Sequence, residues 1–368
     1  SASTMGAGCS PPLCRSLPHL LTHWRTRTRY YPIHIIHEGK RTLSNDAAAA
    51  KSKPKTPSSP PNSAACLVCS ALCTGRVEYV RGWAWQQVLL NRRIALQRQS
   101  GNESINGGVA DNDTDLDRLL LFEHWPVYTL GRGADEENLT FLDDEPDGGN
   151  SKRARLSRKA RGKGSARLSA DRTRCVDGGG GEAAITAEVD ALANAPSPVL
   201  APNGAPIYRV DRGGEVTYHG PGQLVAYPLL DLRKSPHKKD LHWYLRQVEE
   251  VIIQILVEYD IEGKRDKINT GVWVGKEKIA AVGVSSSRWI TTHGFALNIN
   301  PDLSYFDISV MIPCGIEGRG VTSISRELQK RGNNEGKKVP TVTEVAVVAA
   351  QKFGEVFGIP LLPGNDLH

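Results

Sequence analysis

The chain has 368 residues and a formal net charge of +6, enough length to bury one large core or two medium ones. That charge is local. Residues 151–174, SKRARLSRKARGKGSARLSADRTR, hold ten Lys or Arg against one Asp, and without them the chain carries −3. This argues against a fold that is basic throughout and built for nucleic acid, and no run of eighteen apolar residues is present to cross a membrane.

Residues 1–37 contain no Asp or Glu, and Arg15, Arg25, Arg27 and Arg29 stand among Ser, Thr, His and Leu. That composition reads as an organelle transit peptide, for the mitochondrion or alternatively the plastid. Residues 38–65, with AAAAKSKPKTPSSPPNS at their heart, read as a disordered linker. Order is expected from Cys66, within one catalytic domain over 66–365. Cys66 and Cys69 form a C-x-x-C inside ACLVCSAL, and no second Cys or His pair follows at finger spacing. The apolar setting favours two small core residues over a zinc ligand pair, so no metal site is expected. Seven cysteines, an odd number at scattered spacing, make no disulfide framework.

Trp83, Gln87, Leu90 and Ile94 recur at helical spacing and predict a helix over 78–97. RLLLFEHWPVYTLGRG reads as a strand, a Pro turn and a second strand. From about 133 to 204 periodicity fails, so 143–205 is expected to be a disordered, charged insertion within the domain, with a domain boundary as the alternative. Strands are expected at Ile207–Val210 and Gln223–Leu230. Asp240 then caps a helix with Leu241, Leu245, Val248, Ile252, Ile255, Leu256 and Tyr259 on one face. GVWVGKEKIAAVGVS predicts a hairpin about Gly275, HGFALNIN a further strand, and TVTEVAVVAAQKFGEVFG a helix with Thr341 and Glu344 at capping-box spacing. The fold class is α+β, a mixed β-sheet with flanking helices.

Three segments carry residues suited to chemistry. In DRGGEVTYHGPGQLVAYPLL, Gly213 and Gly214 let backbone N–H groups approach a ligand, and Thr217, Tyr218 and His219 add polar tips. Two tight turns in a β-meander explain the same glycines without a ligand. Neither a Walker loop nor a Rossmann spacing occurs, so ATP and NAD gain no support, and no cofactor is expected. In MIPCGIEGRG, Cys314 sits in a loop between Pro313 and Gly315, and its thiolate would be the reactive form. In KEKIAAVG, Lys278 precedes three apolar residues that could draw its stem against the core. A partly desolvated lysine beside Cys314 would stabilise the thiolate and pass a proton to a leaving group. His293, at a strand entrance, reads more readily as structural.

Taken in order, RGGEVTYHGPGQLVAYPLLDL, KIAAVG, HGFALNIN and PCGI, with EHWPVYTLGR upstream, resemble the lipoyl(octanoyl) transferases over residues 66–142 and 205–362. The resemblance implies the catalytic fold shared with biotin and lipoate protein ligases. It implies transfer of an octanoyl group from octanoyl-acyl carrier protein to a lysine of a lipoyl domain. The acceptors would be those of 2-oxoacid dehydrogenases and the H protein of glycine cleavage. It further implies that Cys314 takes the acyl group as a thioester and that Lys278 is its acid/base partner. The acyl pocket is implied to be lined by Arg212, Gly213, Gly214, Glu215, Val216, Thr217, Tyr218 and His219. Ala281, Val282, Gly283, Gly294, Phe295 and Ala296 are implied to complete it. Two rivals remain at this point: an ATP-dependent lipoate or biotin ligase, against which Cys314 speaks, and a non-catalytic carrier-binding protein using the basic insert.

Overall fold

The structure, a computed structural model, describes residues 65–100, 116–134, 166–168, 182–194, 198–266, 268–307, 319–331 and 338–367. The expected transit peptide, all but Ala65 of the linker, and most of the basic insert lie outside these. So does Cys314.

The main sheet contains β1 (Cys66–Ser70), β2 (Asp117–Phe122), β8 (Gln223–Leu229), β9 (Lys264–Arg265), β10 (Val272–Val274), β11 (Glu277–Ser287), β12 (Ile290–Asn298) and β13 (Leu361–Asp366). Their order is β13-β1-β2-β8-β12-β11-β10-β9. β1 runs parallel to β13 and β2, and the other neighbours are antiparallel. A smaller sheet holds β3 (Val127–Leu130), β4 (Ala166–Arg167), β5 (Val199–Leu200), β6 (Pro206–Arg209) and β7 (Val216–His219).

The central strands are apolar at consecutive positions because both faces of the main sheet are covered. On one face Leu119, Leu121, Leu224, Ala226 and Leu297 pack against α3 (Leu241–Val257) and α5 (Val342–Phe357), joined by Ile324 of the short α4 (Ile324–Lys330). Asp240 caps α3 by accepting from His242 N at 2.8 Å. Thr341 and Glu344 form the expected capping box of α5, which ends at Gly358 with φ +66°. On the other face Leu120, Phe122, Val225, Tyr227 and Ala296 meet Tyr79, Val80, Trp83 and Val88 of α1 (Tyr79–Ser100). Tyr208 and Val210 join this second core and tie the small sheet to it. Cys66 and Cys69 are both buried in β1, one in each of the two cores.

The insertion departs from expectation where it is described. Glu182–Ala193 forms a helix, α2, rather than disordered chain. Its Val189 is fully buried against the α1 core, and Glu188 pairs with Arg92 at 2.6 Å while Asp190 pairs with Arg81 at 2.6 Å. EAAITAEVDALA holds five Ala, the residue that most favours helix, but it is flanked by glycine and proline runs that mask the signal. β5 likewise falls inside the supposed insertion and pairs antiparallel with β6. No helix among the described residues is long and apolar enough to cross a membrane.

Candidate active site

The small sheet faces the β8–β12–β11 part of the main sheet across a cleft. The cleft holds about 330 Å³ of space between atoms, counting solvent at its mouth. Arg212, Thr217 and His219 line one side, and Ala281, Val282, Gly283, Gly294, Phe295 and Ala296 the other. Two further residues, Tyr227 and His293, complete the lining. The alternation of β7 divides the expected stretch. Thr217 and His219 face the cleft, whereas Val216 and Tyr218 turn into a separate core with Tyr128 and Leu130. Tyr218 stacks on Tyr305, ring centroids 4.6 Å apart. Gly213, Gly214 and Glu215 also lie off the lining. Gly213 instead donates its N–H to Val284 O at 3.1 Å, holding the loop against β11.

The cleft opens where the β8–β12 pairing is disturbed. Pro228 stands within β8 and has no N–H for the ladder. Thr291 Oγ1 bridges the gap, donating to Pro228 O at 2.8 Å and accepting from Leu230 N at 3.0 Å. Beside it, a Cβ on Gly294 would meet Ala226 O at 2.1 Å, so only glycine allows this approach. His293 takes φ +61°, uncommon for a residue with a side chain. Its N–H is held by Gln86 Oε1 of α1 at 2.6 Å.

β11 brings Lys278 onto the face that carries the cleft. Val272 pairs with Ala280 but Trp273 pairs with Lys278, so Ile279 is an extra residue in the ladder. The bulge puts neighbouring Ile279 and Ala280 both into the main core, fully buried. Plain alternation would set Lys278 and Ala281 on opposite faces; the extra residue sets them on the same one. Lys278 is only 9% exposed. Its Nζ donates to Thr270 O at 3.0 Å and lies 4.9 Å from the centre of the Trp273 ring. Its backbone pairs with the segment after Cys314: Lys278 N donates to Gly320 O at 2.9 Å and Thr322 N to Lys278 O at 3.0 Å. Cys314 itself lies outside the described residues, between anchors at Asp307 and Arg319.

The histidines in and beside the cleft are kept neutral. Burial lowers His219 to about 3, aided by nearby His124, and lowers His293 to about 3, aided by Arg212. Burial also lowers His124 to about 4. Two of these rings have a definite tautomer. His219 Nδ1 donates to Gln223 Oε1 at 2.9 Å, and His124 Nδ1 donates to Val77 O at 2.9 Å while Nε2 accepts from Tyr227 Oη at 3.1 Å. Gln223 Nε2 donates onward to Asn298, and Asn298 Nδ2 to Thr322 O at 3.0 Å. Tyr79 stacks on His219 at 5.7 Å, and burial raises its phenol well above the usual range. The Arg212 guanidinium is pinned by Thr129 O at 2.9 Å and Thr129 Oγ1 at 2.8 Å. The cleft thus combines one fixed cation with uncharged rings and small apolar residues, which suits an acyl chain ending in a polar carbonyl. Tyr227 and His124 escaped the sequence reading; the YPLL and EHWP segments held them, without a spacing to mark them.

Comparison with known proteins gives the arrangement its setting. Residues 190–354 match the family described as the lipoyl protein ligase A/B catalytic domain. The octanoyltransferase of Nostoc punctiforme is 35% identical over 298 residues, spanning 80% of this chain and 91% of that one. The chain belongs to the octanoyltransferase family. A chloroplastic octanoyltransferase of Arabidopsis thaliana is 35% identical over 295 residues, spanning 80% of this chain and 79% of that one. Among solved structures, lipoate-protein ligase A bound with ATP is 14% identical, covering 82% of this chain and 88% of that one at a TM-score of 0.44. This octanoyltransferase-family chain is an acyltransferase, and the family match over 190–354 takes in every candidate residue from Arg212 to Cys314.

Proposed function

We propose that the protein moves an octanoyl group from octanoyl-acyl carrier protein to a lysine of a lipoyl domain, through a thioester on Cys314. Acceptors of this kind include the lipoyl domains of 2-oxoacid dehydrogenases and the H protein of glycine cleavage. The Cys314 thiolate attacks the carbonyl carbon of the donor thioester. A new C–S bond forms, the old one breaks, and the departing carrier thiolate takes a proton from the Lys278 ammonium. The acceptor lysine amine then attacks the Cys314 thioester. An amide forms, Cys314 leaves as thiolate, and the amine's proton returns to Lys278. One thioester replaces another in the first step and an amide replaces a thioester in the second, so the sequence runs downhill without ATP.

The observation that carries this reading is the desolvated Lys278 on the same β11 face as Ala281 and Gly283 of the cleft. Cys314 is five residues before Arg319, a span of at most about 17 Å of chain, and Gly320 is bonded to Lys278 itself. Arg212, Thr217, His219, Ala281, Val282, Gly283, Gly294, Phe295 and Ala296 act as the acyl-pocket residues. Burying the chain there supplies about 0.8 kcal/mol per methylene. The chloroplastic relative favours a plastid as the site of action over a mitochondrion. The test is a transfer assay with octanoyl carrier protein and a lipoyl domain, without ATP. Octanoylation of the domain is expected; a strict need for ATP would contradict the reading.

A further inference from the structure

A buried carboxylate in α3 has no role in the chemistry above. Glu249 is 1% exposed, on a helix face otherwise made of Val248, Val251 and Ile252. A charge in such a place is costly unless every lone pair is used. Its Oε2 accepts from Arg246 Nη1 at 2.7 Å and pairs with Arg265 Nε at 3.3 Å. Neither pairing requires burial, since the more exposed Glu250 already takes Arg265 Nη2 at 2.5 Å. The remaining oxygen, Oε1, accepts from the backbone N–H of Gly271 at 3.1 Å.

That N–H belongs to the same peptide group as the Thr270 carbonyl, and the carbonyl accepts from Lys278 Nζ at 3.0 Å. A peptide group is one rigid plane, so holding its N–H aims its C=O. Gly271 is pressed onto the lysine as well. Its φ is +125°, and a Cβ there would lie 2.6 Å from Ala280 O and 3.2 Å from Lys278 Cε. The other end of this loop is fixed by Asp266. Its carboxylate accepts from Ile268 N and Asn269 N, both at 2.9 Å, and from Arg319 Nη1 at 2.6 Å. We propose that Glu249 is a positioning residue: through the Thr270–Gly271 peptide it holds the Lys278 ammonium in place for the thiolate. This rests on the pairing of Lys278 with Cys314 proposed above.

The experiment follows the pH at which Cys314 is half-alkylated, by mass-mapped labelling of the folded protein. The probe is iodoacetamide, applied to Glu249→Leu, Glu249→Ala, Glu249→Gln, Lys278→Ala, the double variant Arg246→Gln/Arg265→Gln, and Lys278→Ala combined with Glu249→Leu. Two apolar replacements are made so that one folded variant lacking the acceptor is in hand. Lys278→Ala and the apolar Glu249 variants are expected to raise the midpoint, each by roughly one pH unit. Their combination should go no higher than Lys278→Ala alone, because the two act on one charge. Glu249→Gln, which keeps an oxygen for Gly271, and the double arginine variant should leave the midpoint in place. A shift with Lys278→Ala but none with the apolar Glu249 variants overturns the proposal. An equal shift in the double arginine variant also overturns it, because ion pairing alone would then explain the effect. If Lys278→Ala moves nothing, the Cys314–Lys278 pairing fails and the role of Glu249 falls with it.

Discussion

Lowering the pH should unfold this protein through three histidines, two lining its cleft and one beside it, and the size of the effect follows from their burial. His219 and His293 titrate at about 3 and His124 at about 4 when folded, against 6.5 for the free side chain. The unfolded chain therefore binds these protons first. The stability each histidine contributes is fully present above pH 6.5 and is lost as pH falls towards the folded value. Between pH 7 and pH 5 the loss is about 2 kcal/mol per histidine, or about 6 kcal/mol for the three. That is comparable with the whole stability of an ordinary domain. The assay is urea unfolding at pH 7, 6 and 5, in the parent and in His219→Gln, His293→Gln and His124→Gln. Each replacement should flatten the pH dependence by about one third, whatever it does to stability at pH 7. If all three variants lose as much between pH 7 and 5 as the parent, the histidines are not buried neutral and this picture of the cleft is wrong. For the proposed acyl pocket the same neutrality matters, since a protonated ring beside Arg212 would hold water where the apolar chain is to sit.

Three further outcomes can be checked. Lys278→Ala should slow octanoyl transfer by about 10²- to 10⁴-fold in protein shown to be folded; near-normal turnover would remove Lys278 from the chemistry. Gly283→Val should raise KM for the octanoyl donor, because its Cβ would stand 3.2 Å from Arg212 Cδ and 3.3 Å from Gly213 O at the wall of the cleft; an unchanged KM would place the acyl chain elsewhere. Val189→Ala should lower stability by about 2 kcal/mol in chemical unfolding, and no loss would mean that α2 is not docked on α1.

The parts of the fold that could be read from the sequence are those whose pattern is local. α3 showed its apolar stripe and its Asp240 cap, α5 its capping box, and the β10–β11 hairpin its Gly275-Lys276 turn. β13 could not be read, because LLPGND has no strand pattern and its pairing partner, β1, lies almost 300 residues away. α2 was hidden by the glycine and proline runs beside it. At the site, the resemblance named segments that the fold brings to one cleft, but not their faces. The period of two in β7 sends Tyr218 away from the cleft although its neighbours Thr217 and His219 enter it. A single bulge at Ile279 sets Lys278 on the β11 face that carries the cleft, and no residue type in KEKIAAVG announces it. Nothing in the sequence of α3 sets Glu249 apart from its other charged residues; only the packing of α3 against the Gly271 loop shows it buried.

The central claim is that Cys314 carries the octanoyl group between donor and acceptor. The most direct measurement is intact-mass and peptide-mapped analysis of the protein after brief exposure to octanoyl carrier protein, with no lipoyl domain and no ATP. The account predicts one octanoyl group on Cys314, released by hydroxylamine, discharged by added lipoyl domain, and missing in Cys314→Ala. Efficient transfer to the lipoyl domain by Cys314→Ala, or an adduct mapped to another residue, would contradict it.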